Sequence, residues 1–180
     1  MADPVRDRAV GTRLAEILAR RRVPLGFVFG VAAIWLARPT ARTLPIGAAI
    51  AIAGEAFRIW AAGHLEKGKE VTSSGPYRMT RHPLYLGSTL MGVGLAVASA
   101  SVIVAALVAA YLAITLTAAI RTEESHLTDK FGSAYPQYRD GSAGPSRRRF
   151  SFERAMRNRE YRAVIGLVSA LGTLWWKSRM

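Results

Sequence analysis

Residues 84–120 read LYLGSTLMGVGLAVASASVIVAALVAAYLAITLTAAI and carry no charged side chain. At the α-helical rise of about 1.5 Å per residue, this run is too long for one bilayer crossing and suits two. The small residues Ala98, Ser99, Ala100 and Ser101 sit near its middle and predict a tight turn. The expectation is a helical hairpin whose two open ends return to the same side.

The rest of the 180-residue chain follows the same alternation. Apolar runs at Val23–Ala37, Thr43–Gly63 and Val164–Trp176 are separated by arginine-rich segments. A soluble helical protein would spread its charges along each helix as a polar face. Segregated charge, a mean hydropathy of +0.15 and 51% hydrophobic residues predict an all-α integral membrane bundle of about five transmembrane helices. The whole chain, 1–180, reads as a single domain. It comprises an N-terminal segment (1–22), core spans (23–138), and a basic loop with a C-terminal helix (139–180). The first 22 residues are too polar for a signal h-region, and Trp175, Trp176 and Lys177 read as an interfacial belt.

The net charge of +13 would suit either nucleic acid or anionic lipid. The arginines flank the apolar runs, which favours a bilayer with anionic lipids and no nucleic acid. Most lysines and arginines fall in 1–22, 64–82 and 121–162. The positive-inside rule then predicts a cytoplasmic N-terminus and a cytoplasmic face for those segments in the cell inner or plasma membrane. With no cysteine, a disulfide framework, a thiolate metal site and a cysteine nucleophile are all excluded. No metal site is expected.

Two groups of residues flank the hairpin. Upstream lies GPYRMTRHPLYLG, residues 75–87. Pro83 disfavours helix at His82 and suits a first helical turn, so Arg81 and His82 are predicted at a helix N-terminus, where unpaired backbone N–H groups attract anions. Tyr85 and Gly87 follow in the first turns. Downstream lie Glu123 and Glu124, about 100° apart around a helix, which attract a cation. The hairpin makes the two groups neighbours, forming one pocket with an anion-binding wall and a carboxylate wall. A zwitterionic amino acid, or a cofactor with an amino-acid tail, fits such a pocket. In the second apolar run, Glu55 and Arg58 are three apart and can pair. They read either as a structural ion pair or as pocket lining, and His64 stands in the same position. Arg147, Arg148 and Arg149 read as a lipid headgroup contact.

Residues Gly75–Arg78, Arg81–Gly87 and Glu123–Glu124, with Phe131, Gly132, Tyr135 and Tyr138, resemble the isoprenylcysteine carboxyl methyltransferase family. The run Tyr85–Thr89 also resembles the phosphatidylethanolamine N-methyltransferases. Arg58-Ile59-Trp60 and His64 are similar to bacterial members of the group. The resemblance is specific over roughly residues 75–138.

It implies S-adenosylmethionine as cofactor and methyl transfer to a lipophilic small molecule or lipid bearing a carboxylate, thiol or amine. Carried over by position, Tyr77, Arg81, His82, Pro83, Tyr85, Gly87, Glu123 and Glu124 would bind the cofactor. Glu123, Arg58 and His64 are the candidate catalytic residues. Two alternatives stay open at this stage. One is a sterol-reductase-like membrane enzyme using NADPH, which has a related His-Pro-x-Tyr-x-Gly segment. The other is a non-catalytic bundle that binds lipid or a partner. Oligomeric state, the methyl acceptor and whether 164–176 spans the bilayer are not legible.

Overall fold

A computed structural model describes residue 26, residues 28–142 and residues 148–180. The expectations for segment 1–22 and for Arg147 lie outside the described residues. Among those residues the protein is all helical, with no strand. Helix α1 covers residues 28–36 and α2 covers Thr43–Ala62. A 3₁₀ turn at Gly75–Arg78 precedes α3, Pro83–Ser99. Then come α4, Val102–Phe131, α5, Ala134–Arg139, α6, Phe152–Arg157, and α7, Tyr161–Lys177.

The hairpin is present. α3 ends at Ser99, Ala100 adopts the left-handed conformation (φ 48°), and the Ser101 side chain caps α4 by accepting from Val104 N–H at 3.4 Å. Small residues at this turn let the chain reverse within two residues. α4 runs further than the apolar pattern indicates. It continues without a break through Arg121–Phe131, so its 30 residues reach about 45 Å, well beyond the hydrocarbon thickness. The polar third of α4 projects from one end of the bundle as helix rather than loop.

α2 and α3 form the tightest pair. Gly47 and Gly54 of α2 meet Gly94 and Gly87 of α3, backbone against backbone. A Cβ on Gly54 would lie 2.7 Å from Met91 N, and one on Gly87 would lie 2.8 Å from Gly54 O. Small residues allow this close approach, as they do between membrane helices. The interior follows suit: Ala37, Ala51, Ala61, Ala62 and Ala98 are buried, while Val31, Ile46, Ile52, Ile114 and Val168 face outward. Large apolar side chains outside and small ones inside suit a lipid surround.

α2 and α4 are each long and apolar enough to cross a membrane. The other helices are tied to the same two ends. At one end Lys177 Nζ donates to the α1 carbonyl of Ile34 at 2.8 Å, Arg38 N–H donates to Ser99 O at 2.7 Å, and Ala37, Ala98 and Leu174 pack together. At the opposite end Glu160, at the start of α7, reaches Arg58 near the end of α2. α7 therefore runs the full length of the bundle beside α2. Trp35, Trp175 and Trp176 lie exposed at the first end, and Arg179 stacks over Trp175 at 5.3 Å.

Candidate functional site

Pro83 occupies the first position of α3, and His82 caps it in a non-helical conformation (φ −128°, ψ 59°). That geometry turns the His82 ring across the mouth of the hairpin. His82 Nε2 lies 3.0 Å from Glu124 Oε1, and Arg81 Nη1 stands 3.9 Å from the same oxygen. One turn into α3, the Tyr85 hydroxyl donates to Glu123 Oε2 at 2.7 Å. The His82 and Tyr85 rings stack with centroids 5.7 Å apart. The His-Pro segment and the glutamate pair thus meet residue by residue, two bridges side by side between α3 and α4.

Other residues frame this cluster. Tyr135 of α5 is buried, and its hydroxyl is turned toward Glu124 without reaching hydrogen-bond geometry. Burial, and after it the Glu124 charge, push the Tyr135 phenol up to about 12. Tyr77 is buried, and its carbonyl accepts from the Tyr138 hydroxyl at 2.7 Å, which pins the 3₁₀ turn to α5. A groove of about 530 Å³ opens beside the turn, with Arg78, Arg81 and Arg139 on its walls. A second groove of about 710 Å³ runs between α3 and α4. It is lined by apolar side chains from Thr89 and Val93 to Leu116 and Ile120. Its end at Thr89 and Ile120 lies one helical turn from Tyr85 and Glu123. The apolar groove therefore leads to the carboxylate pair.

Arg58 and His64 are placed elsewhere. Arg58 packs on the first turns of α3 away from Glu124. Its Nη2 bonds both oxygens of Glu160, at 2.9 and 3.1 Å, its Nε stands 3.3 Å from Glu55 Oε2, and its Nη1 donates to Ser88 Oγ. The pairing with Glu55 follows the sequence pattern, but the dominant partner, Glu160, has no signal beyond being an acid in an arginine-rich stretch. Gly87, expected at the cofactor, is the contact point of α2 with α3. His64 is buried in the turn after α2, with Nδ1 3.0 Å from Ser74 Oγ. Desolvation, then the charges of Arg154 and Arg148, lower its pKa below the usual histidine value.

Glu66 is a further residue that sequence reasoning passed over. It accepts from Arg154 Nε at 2.8 Å and pairs with Arg148 at 3.0 Å and Arg157 at 3.3 Å. Arg148 also pairs with Glu70 at 2.7 Å. Arg148 is thus engaged within the protein, which corrects its reading as a headgroup contact. Asn158 Nδ2 closes the junction on the Ala62 and Leu65 carbonyls, at 2.9 Å each. The segment 148–160 is clasped to the loop after α2.

The profile of the phospholipid methyltransferase family matches residues 23–134, which span α1 to the start of α5. The chain belongs to this family. It is also 35% identical over 95 residues to the cobalt-zinc-cadmium resistance protein CzcN of Cupriavidus metallidurans, covering 52% of this chain and 41% of that protein. The nickel-cobalt-cadmium resistance protein NccN of Alcaligenes xylosoxydans xylosoxydans is 32% identical over 99 residues, covering 54% of this chain and 45% of that one. The chain thus matches less than half the length of either relative. No solved structure matches it. The matched range includes His82, Tyr85, Glu123 and Glu124 and ends before Tyr138 and the 148–160 clasp.

Proposed function

We propose that this protein transfers a methyl group from S-adenosylmethionine to a membrane lipid at the His82–Glu124 end of the hairpin. The observation that carries the reading is the pair of bridges, His82–Glu124 and Tyr85–Glu123, one helical turn beyond the Thr89–Ile120 end of an apolar groove. The donor set fits the cofactor. Two carboxylates suit the ammonium of its methionine tail, the Arg81 guanidinium suits the tail's carboxylate, and the buried Tyr135 hydroxyl has hydrogen-bonding capacity to spare. The cofactor supplies an activated methyl group, so the protein's task is alignment and exclusion of water.

In this reading His82 and Arg81 fix the Glu124 carboxylate, and Tyr85 fixes Glu123. The lipid's tail occupies the groove between α3 and α4, which brings its head to Glu123. An amine head must lose its extra proton before transfer, with Glu123 or His82 as the candidate acceptor; a carboxylate or thiolate head needs no base. Arg58 and His64 hold structure around the site. The bundle crosses the bilayer five times, through α1, α2, α3, α4 and α7. The arginine-rich end, with the site, faces the cytoplasm, and the tryptophan end lies opposite. The two relatives' names connect them with metal resistance.

The test is transfer itself. Protein in nanodiscs of bacterial lipid extract is incubated with S-adenosylmethionine carrying a deuterated methyl group, and the lipids are analysed by mass spectrometry. The reading requires a deuterated-methyl lipid that is lost in Glu124→Gln. Label that enters no lipid, from a protein that binds the cofactor, would reject a lipid acceptor.

A further inference from the structure

We propose that His64 is a positioning residue for the segment carrying His82, acting through Ser74 and not on the substrate; the proposal rests on the methyl-transfer reading above. His64 and Ser74 are both buried and stand in hydrogen-bond contact at 3.0 Å. The ring lies under Gly75, whose φ of 57° only glycine adopts readily, and a Cβ there would come within 2.5 Å of the ring Cδ2. Trp60 and Phe150 pack against the ring with centroids 6.4 and 6.3 Å away. These neighbours enclose the imidazole, so it has no route to a reacting group.

Between Ser74 and His82 the chain is folded into successive hydrogen-bonded turns. Tyr77 N–H donates to Ser74 O at 3.2 Å, and Met79 and Thr80 N–H donate to Pro76 O at 3.0 and 3.2 Å. His82 N–H then donates to Thr80 Oγ1 at 3.4 Å. Pro76 and Pro83 are fully buried at either side of this path, which removes slack from the backbone. At its far end His82 meets Glu124. Setting Ser74 therefore sets the register in which the His82 ring is offered to Glu124. Continuity of contacts does not measure coupling, so the test is a mutant cycle.

The cycle comprises His64→Ala, Ser74→Ala, the double variant, and His64→Asn, whose amide can stand where imidazole Nδ1 does. Three quantities are read on detergent-purified full-length protein: S-adenosylhomocysteine affinity by calorimetry, Tm, and amide hydrogen exchange over residues 76–82. Each alanine variant should weaken affinity about tenfold, the scale of one buried hydrogen bond. The double variant should lose no more than either single one, and His64→Asn should restore affinity. Exchange over 76–82 should rise in the alanine variants and return in His64→Asn. Affinity unchanged in a folded His64→Ala, a lower Tm with unchanged affinity, additive losses, or no rescue by asparagine would each overturn the proposal. If the wild-type protein binds no S-adenosylhomocysteine, the methyl-transfer reading fails separately. Exchange then decides the coupling, and unchanged exchange over 76–82 rejects it.

Discussion

At the scale of single residues, charge placement decides what each group does. His64 and Glu66 occupy one junction and both are shifted. His64 is lowered by desolvation and by Arg154 and Arg148, and Glu66 is lowered chiefly by its bond from Arg154. The signs agree. A histidine with a lowered folded pKa contributes stability that is fully present above its unfolded value near 6.5 and is lost as pH falls through the folded value. Glu66 adds a second loss at lower pH, below about 4.5. Tm in detergent should therefore fall on acidification, starting below about pH 6.5. His64→Asn should remove that first limb and leave the lower one. A wild-type Tm that stays flat down to pH 5 would contradict the assignment.

Arg58 gives a second prediction at this scale. Two carboxylates, Glu55 and Glu160, depend on its charge, and among the described residues neither Glu55 oxygen has a hydrogen-bond partner. Arg58→Gln should cost roughly 3–5 kcal/mol, the range for stranding a buried ionic partner. Double-mutant analysis with Glu160→Gln should recover part of that loss. Equal and additive losses would show that the pair is not coupled.

At the scale of elements, the α2–α3 pairing depends on absent side chains. Gly47 and Gly94 face one another's helix backbone, and no flexible side chain stands between them to yield. Gly94→Ala should therefore destabilise the bundle by about 1–3 kcal/mol, as overpacking does. Gly172→Ala, in α7 with open space around it, should not destabilise it. Thermal unfolding of both variants checks the contrast.

The hairpin was legible because its two determinants are local: an uncharged run of fixed length and small residues at its centre. Its closure brought His82 to Glu124 without further information. Gly87 shows the limit. A glycine near a site motif reads as room for a ligand or for another helix, and in the structure α2 packs against it. The continuation of α4 beyond the glutamate pair was illegible for another reason. Arg121–Phe131 lacks an apolar stripe because it packs on little, so periodicity gives no signal there. Glu66 and Glu160 find partners about 80 to 100 residues away in sequence, and no spacing rule links charges at that separation.

At the scale of the whole molecule, the ends of the helices define a layer. Lys177 and Arg38 tie one end, and Glu160 and the Glu66 clasp tie the other. If α1, α2, α3, α4 and α7 all cross the bilayer, the loop before α2 and the turn before α5 lie on opposite sides. The chain has no cysteine, so single introduced cysteines report topology cleanly. In right-side-out membranes, Ala41→Cys should react with an impermeant maleimide and Ser133→Cys should react only after permeabilisation. Labelling of both from one side would remove the five-span reading.

The central claim is that the paired carboxylates at the mouth of the hairpin receive the cofactor's amino-acid tail. Calorimetric binding of S-adenosylhomocysteine to the full-length protein tests it most directly, with His82→Ala and Glu124→Gln alongside. The account predicts binding by the wild-type protein and at least a roughly tenfold loss in each variant with the fold intact, as expected for a charge-assisted hydrogen bond. No binding by folded wild-type protein, in detergent and in lipid nanodiscs, would contradict it.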